Sequence, residues 1–598
     1  MKDTPIIYAQ DVIVSEILKD IGTAACKKGQ KYPMDRRTHT RYRYLDILTS
    51  FDIETSSHQF GTELSDWESW MYIWQWQFGE VATVIGRTWE EFLTLVNSIN
   101  DYLRSFDEDV RLMCHIHNLA FEFQFLSGIW HFEETDIFAT DVRSPLYCLM
   151  GNIELRCSYR LSGYSLDHWA KELRADHQKL MGNLDYKVER YPWTGMTSEE
   201  LQYCINDVIC VVECVKIMLQ SYGDTLYSLP YTSTGYIRRR VRKALRMWCA
   251  DGVKEMQNDL LTYDRLRQAF RGGDTHANRY HVQKIIGDVY SYDRSSSYPD
   301  VICHCKFPMT KFREEKPTIE TYQRLLDVGR AILLKVRFFN IHLKHDRTGD
   351  PYIPYAKCVE DGFLKPIHAE VDNGRILSAD MCELAMTDID FDIIQSQYTW
   401  DSKASCILWM ESARYGYLPR PLIDVVIQLY KAKTSLKGVA GSEITYAHSK
   451  GEINACYGMM VQRIIMNPVK YENDTWVLDQ DFDRETAYKE EVEKAFINYA
   501  WGVWVTAHAR YRLQEGIRLA ESRNPDCYVS DFVYGDTDSV KSTTELDFSK
   551  YNAKRIADAK SSGAFGIDAK GKTHYMGVFE YEGKYDFFGH WEPSVTAQ

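Results

Sequence analysis

No stretch of 18 or more apolar residues occurs in the chain, so a membrane-spanning helix is not expected. The first twenty residues, MKDTPIIYAQDVIVSEILKD, lack the basic, apolar and small-residue blocks of a secretory signal. No C-x-x-C pair occurs among the 15 cysteines. These absences argue against a secreted disulfide framework and a zinc site, and for a cytoplasmic chain with reduced thiols. Internal repeats, low-complexity tracts and long Pro/Gly/Ser linkers are missing too, which excludes a solenoid and leaves boundaries to be inferred from changes of pattern. Basic residues are in the minority. The 85 Asp and Glu outnumber 71 Lys and Arg, for a net charge of −14, which taken alone opposes phosphate binding. Distribution matters more than the sum: Arg238, Arg239, Arg240, Arg242, Lys243 and Arg246 make one helix-like segment basic, while acidic residues crowd 473–494. A basic helix is commonly a solvated face, so it permits nucleic-acid binding without indicating it.

At 598 residues the chain exceeds what one hydrophobic core holds, so several domains are expected. Its 40 Tyr, 25 Phe and 15 Trp are ample for cores or for stacking on bases. Residues 46–54 read as a buried strand ending in carboxylates, and 197–220 as a helix opened by a Thr197/Glu200 capping box. This alternation suits an α/β domain to about residue 225. Downstream, AILLKVRFF reads as strand, 405–465 as mainly helical, WVTAHARYRLQEGIRLAES as helix and YVSDFVYGDTDSV as strand-turn-strand. The expectation is a second α/β unit with insertions.

Three distant segments carry the chemistry. Asp293-Arg-Ser-Ser-Ser-Tyr298-Pro299 places an aspartate at the end of an apolar strand before a polar turn. Lys450, Asn454 and Tyr457 of KGEINACYG share one helix face, and Tyr534-Gly-Asp536-Thr-Asp538-Ser539 puts two carboxylates in a hairpin. If the hairpin continues as strand, alternation sets 536 and 538 on one face. Phosphoryl transfer to a primer hydroxyl uses two divalent ions about 3.5–4 Å apart, which demands such clustered carboxylates. Each segment alone has a bland reading, a solvated Asx turn or a surface helix; together they do not. They resemble the three polymerase motifs of B-family DNA polymerases, in that family's order, with Ser297 for the usual Leu and Ala455 for the usual Ser. The resemblance implies that Asp293 and Asp536 hold metal with Asp538 beside them, that Tyr298 excludes a ribose 2′-hydroxyl, that Lys450 grips the triphosphate and that Tyr457 packs on the nascent pair, with Asn454 on the same nucleotide-binding face. Lys433 is a second triphosphate candidate.

A further set lies N-terminal. Phe51-Asp52-Ile53-Glu54 places two carboxylates on one strand face, Asn118-Leu-Ala-Phe121-Glu122 follows, and Tyr203 and Asp207 sit one helical turn apart. The set is similar to the exonuclease motifs of proofreading polymerases, with Glu122 where the family has Asp. That implies catalytic Asp52, Glu54, Glu122, Tyr203 and Asp207, metal on Asp52, Glu54 and Asp207, and a frayed primer end held by His117, Asn118 and Phe121, with Ser158 and Tyr159 as extensions of that surface. Lys179 is a candidate for the lysine near the scissile phosphate. The FRGG at 270–273, with Gly272 and Gly273 at the DNA, resembles the linker of terminal-protein-primed bacteriophage enzymes, as do the spacing to Asp293 and the segment GVWVTAHAR at 502–510.

The expected fold is thus α/β and α+β multidomain: an RNase-H-like 3′→5′ exonuclease followed by a right-hand polymerase with palm, fingers and a short or incomplete thumb. Expected boundaries are 1–45 extension, 46–225 exonuclease, 226–302 first palm segment, 303–404 insertion resembling a terminal-protein-binding region, 405–466 fingers, 467–495 insertion resembling a strand-displacement element, 496–575 second palm segment and 576–598 start of thumb. Lys584-Tyr585 is the nearest stand-in for the family's K-x-Y motif. The expected activity is DNA-directed DNA polymerisation with proofreading, protein-primed, on viral or plasmid DNA in a host cytoplasm. It takes template-primer DNA, dNTPs, a terminal protein and two Mg²⁺ per site, with Mn²⁺ as substitute. The rivals are a non-catalytic DNA-binding remnant and a B-family replicase that uses no protein primer; a reverse transcriptase is disfavoured because Y-x-D-D is absent.

Overall fold

The computed structural model describes residues 4–593 except 36–37, 64–65, 107–108, 181–184, 186–187, 346–347, 360–364, 440, 467–468, 474, 480–481, 522–529 and 587–589. The chain divides into two compact units, one of Met1–Tyr236 with Met466–Asp483 and one of Ile237–Ile465 with Arg484–Gln598.

The first unit is built on a nine-stranded mixed sheet. Its central strand, Thr49–Gln59, pairs antiparallel with Trp67–Phe78 and parallel with Val110–Ile116, which itself runs parallel to Ile153–Cys157. Period-two alternation sends Phe51 and Ile53 into a core with Trp74, Trp76 and Phe92, leaving Asp52 and Glu54 on the other face. Against that second face lies the helix Ser198–Tyr222, started by the reciprocal Thr197/Glu200 capping box and stopped at Gly223, whose φ of 60° suits a glycine. The strand expected at 46–54 begins at Thr49 and continues five residues past Glu54, because its long partner supplies ladder bonds as far as Gln59.

Two boundaries change in this unit. Residues 1–45 are no appendage: Ile6–Tyr8 adds an edge strand beside Ala82–Gly86, and Leu18 and Leu45 are buried in the same core as Trp74. The expected 467–495 insertion is split. Its hairpin, Val469–Glu472 with Thr475–Leu478, belongs to this first unit, where Tyr471 and Trp476 pack on Phe123 at ring distances of 5.3 and 5.5 Å. Its helix, Arg484–Glu493, belongs to the second.

The second unit centres on a six-stranded antiparallel sheet ordered Thr275–Ala277, Phe532–Asp536, Ser539–Ser542, Val289–Arg294, Phe579–Tyr585, Trp591–Pro593. The helix Tyr499–Glu521 backs it, Leu513, Ile517 and Ala520 packing on Tyr292, Phe532, Val540 and Phe579. The stretch 576–598, expected to begin a thumb, instead contributes Phe579–Tyr585 to this sheet in register with Val289–Arg294. Lys584, the expected stand-in for K-x-Y, lies on this strand and reaches Asp288 at 3.3 Å. Two helices, Arg420–Ser435 and Glu443–Gly458, fill the stretch expected as fingers. The region expected as an insertion at 303–404 is a seven-stranded sheet around Arg330–Leu343, and it runs to Gly416 because Cys406–Gly416 pairs along that central strand. Residues 406–416, read as helical from sequence, are strand for the same reason.

Candidate polymerase and exonuclease sites

In the second unit a cavity of about 480 Å³ opens above the sheet. Asp293, next to last in its strand, lies opposite Ser539 on one side and Glu580 on the other. The Arg294 amide donates to the Asp538 carbonyl at 2.8 Å, so the two aspartates stand side by side at the cavity wall. Burial and then the charges of Asp538 and Glu582 push the Asp293 carboxyl up to about 7, and burial also raises Asp538. Asp536 is placed differently. It is exposed, the Thr275 hydroxyl donates to its Oδ1 at 2.7 Å, and it does not line the cavity. Asp538 sits in the turn, not in a continuing strand, since Thr537 before it adopts φ 57°. Strand alternation hence does not govern residues 536 and 538, and of the two it is Asp538, not the Asp536 expected beside Asp293, that shares the cavity wall with Asp293.

The opposite wall comes from the finger helices. Lys433 donates to Ser296 Oγ at 3.0 Å, and burial followed by the charges of Lys450 and Lys437 lowers its ammonium to about 8. Lys450 and Asn454 line the same cavity. Tyr457 stacks on Tyr298 with centroids 4.2 Å apart and planes at 25°, one aromatic floor from two motifs. The turn joining Asp293 to Tyr298 is locked from beneath. Arg294, fully buried, donates to Ser297 Oγ at 2.8 Å and to Asp300 Oδ2 at 2.8 Å, while Asp300 Oδ1 lies 2.7 Å from His304 Nδ1.

Gly273 lies against Thr537, a lining residue of the cavity, and Arg510 Nη1 donates to the carbonyls of Arg271 and Gly272 at 2.7 and 2.8 Å. A Cβ on Gly273 would come 2.5 Å from Thr537 Oγ1, which accounts for glycine there. Sequence reasoning missed Glu580 and Glu582, although the alternating FEYEGKY offered a strand signal. It also missed Lys437, Tyr446 and His574, which line the cavity from segments without a motif.

The first unit holds the second carboxylate cluster. Asp52, Glu54, Glu122 and Asp207 converge where the central strand, the short helix Leu119–Leu126 and the helix Ser198–Tyr222 meet. Burial and then Asp207 push Asp52 up to about 7; burial and then Asp52 raise Glu54 and Glu122 well above the usual carboxylate range. Lys179 donates to Asp207 Oδ2 at 2.8 Å, so the structure brings this lysine to the cluster. Tyr203 is buried one turn before Asp207, its ring 5.8 Å from the Lys179 ammonium. His117 lies against Trp169, 3.2 Å from Ser158 Oγ, and burial followed by Lys179 lowers it to about 4. Beside it Asn118, Phe121 and Tyr159 are exposed.

Both clusters fit a divalent cation. Glu122 Oε2 and Asp207 Oδ1 are buried with no hydrogen-bond partner, and Asp293 and Asp538 stand together at the wall of one cavity. Among the described residues, however, no three such side chains stand as a finished ligand set.

Residues 154–532 match the family described as DNA polymerase type B, organellar and viral. The chain belongs to that family. It is 23% identical over 527 residues to the DNA polymerase of Bacillus phage Nf, covering 83% of this chain and 80% of the relative. Against the DNA polymerase of Bacillus phage phi29 it is 22% identical over 379 residues, covering 61% of this chain but only 57% of that one. The solved structure of phi29 DNA polymerase with primer-template DNA and incoming nucleotide superposes with a TM-score of 0.63 at 16% identity, over 90% of this chain and 85% of the other. The complex of the same enzyme with single-stranded DNA gives 0.61 at 17%. The fold is accordingly an exonuclease-type domain followed by a polymerase palm and fingers, in a phage-like member of the family.

Proposed function

We propose that this chain is a DNA-directed DNA polymerase with its own 3′→5′ exonuclease, acting on template-primer DNA and dNTPs in the replication of viral DNA in a host cytoplasm. One observation carries the reading: four separated segments converge on one cavity, with Asp293 and Asp538 on one wall and Lys433 and Lys450 on the other. That is the charge layout of a triphosphate held between cations and a carboxylate pair. Two Mg²⁺ ions on Asp293 and Asp538, replaceable by Mn²⁺, would supply activation of the primer hydroxyl and neutralisation of the leaving pyrophosphate. Lys433 and Lys450 bind and orient the triphosphate. Tyr298, fixed by Tyr457, floors the sugar and base and excludes a 2′-hydroxyl by contact. Arg294 and Asp300 keep the motif turn in place, and Asp536, tied to Thr275, braces the hairpin that presents Asp538.

In the other unit Asp52, Glu54, Glu122 and Asp207 would hold the exonuclease metals, with Lys179 and Tyr203 placing the scissile phosphate and His117, Asn118 and Phe121 the terminal nucleotide. Priming from a terminal protein belongs to the same reading, supported by the Phe270–Gly273 element and the large sheet inserted between the first two polymerase motifs; incorporation of labelled dNMP onto a terminal protein supplied in trans tests it. The main test is primer extension with Mg²⁺. Asp538→Asn is expected to abolish incorporation and spare single-strand degradation, whereas Asp536→Asn keeps extension within about tenfold of wild type. Extension retained in Asp538→Asn overturns the reading.

A further inference from the structure

Close to the exonuclease carboxylates stands a three-ring ladder that the proposed chemistry leaves unused. Trp70 and Tyr191 are stacked at 5.0 Å with planes 11° apart, and Tyr191 and Trp193 at 5.1 Å with planes 7° apart. The outermost ring is 80% exposed, so an aromatic face is left open at the end of a parallel stack. An indole in that position has no packing role that burial explains.

The ladder is held rigid. Trp70 Nε1 donates to the Arg190 carbonyl at 2.7 Å, the Tyr191 amide donates to Thr194 Oγ1 at 2.9 Å, and Arg87 Nη2 donates to the carbonyls of Tyr191 and Thr194 at 3.1 and 2.8 Å. A stacking ring fixed before its ligand arrives loses little entropy on binding.

Its position follows from the sheet register. Met71 lies in the core with Phe51, Ile53 and Trp74, so its neighbour Trp70 projects from the opposite face, the one carrying Asp52 and Glu54. Trp70 sits directly across from Ser56, two residues beyond Glu54, or roughly 7 Å along the strand. Ser56 Oγ accepts from the Arg190 amide at 2.9 Å, which anchors the ladder segment to that strand. A strand whose 3′ end lies at Glu54 needs only its first few nucleotides to reach the ladder.

We propose that Trp193, supported by Tyr191 and Trp70, is a stacking site for an unpaired base of the single strand entering the exonuclease cluster, a few nucleotides upstream of the scissile bond. Glu189, beside the ladder, is paired with His58, and what the ladder leaves open is the face of an indole, so the site takes the π-face of a base and tolerates any sequence. This rests on the exonuclease reading above.

The experiment has two arms on the full chain. In the first, metal-free protein is titrated into single-stranded oligonucleotides carrying 2-aminopurine at successive positions from the 3′ end. Wild type is expected to quench one internal position, Trp193→Ala to lose that quench and Trp193→Phe to restore it. In the second, degradation with Mg²⁺ is measured on dinucleotides and on ten-nucleotide strands. Trp193→Ala is expected to raise KM for the long strand by roughly 5- to 150-fold, the worth of one stacked base, with kcat and dinucleotide cleavage unchanged. Equal KM values for wild type and Trp193→Ala on the long strand, or a quench insensitive to Trp193, overturn the ladder. A wild-type chain that quenches through Trp193 yet degrades nothing supports the ladder and overturns the exonuclease reading instead.

Discussion

Arg294 and Asp300 make the most demanding test of the polymerase site, because their pairing supports both stability and geometry. The two side chains are 0% and 1% exposed and meet at 2.8 Å. Removing one member leaves the other buried and uncompensated, which costs about 3–5 kcal/mol in such sites. His304, which keeps its own bond to Asp300, places Arg294→Met toward the lower end, about 3 kcal/mol; Asp300→Asn, which strands the guanidinium, belongs toward the upper. The double variant Arg294→Met/Asp300→Asn is expected to recover part of the loss, since no unpaired charge remains. Burial by itself raises the Asp300 carboxyl, but the His304 hydrogen bond and the Arg294 charge overcome it and hold the group well below the usual carboxylate range. Its stabilising contribution is therefore complete above the unfolded carboxylate pKa of about 3.9 and is lost as pH falls toward the depressed folded value. Urea unfolding at pH 7 and at steps below pH 4 measures both effects, with Asp300→Asn flattening the acid limb. A loss under 1 kcal/mol at pH 7, or an acid limb unchanged in Asp300→Asn, would refute the argument.

Glu122→Gln keeps the shape of a buried carboxylate whose Oε2 has no partner; if that oxygen holds metal, single-strand degradation falls by at least about 10–100-fold with extension intact, and an unchanged rate makes the residue structural. Gly273→Ala forces a methyl within 2.5 Å of Thr537 Oγ1 and is expected to destabilise by about 1–3 kcal/mol; Thr537→Gly in the same chain should relieve it, and urea midpoints read both. Tyr298→Val removes the ring stacked on Tyr457 and is expected to admit ribonucleotides, measured as the ratio of dNTP to rNTP incorporation; an unchanged ratio assigns the gate elsewhere.

The spacing of short motifs was legible without coordinates because it reports local geometry. Asp52 with Glu54, Tyr203 with Asp207, and Lys450 with Asn454 and Tyr457 are each set by the period of one strand or one helix, and the Thr197/Glu200 box needs only four residues to form. Features set by partners far along the chain were not legible. Residues 406–416 become strand because Arg330–Leu343 offers them a ladder, and 579–585 join the palm because Val289–Arg294 does; neither segment announces its partner. The same holds for the choice between Asp536 and Asp538. Their one-letter pattern is symmetrical, and only a positive φ at Thr537 together with the Thr275 hydroxyl turns one carboxylate outward and leaves the other at the cavity. Residue types and local periods thus picked out two carboxylate clusters with their lysines and aromatics. Tertiary pairing decided which carboxylates face each other, since burial and mutual charge are properties of the assembled sheet and of no single segment.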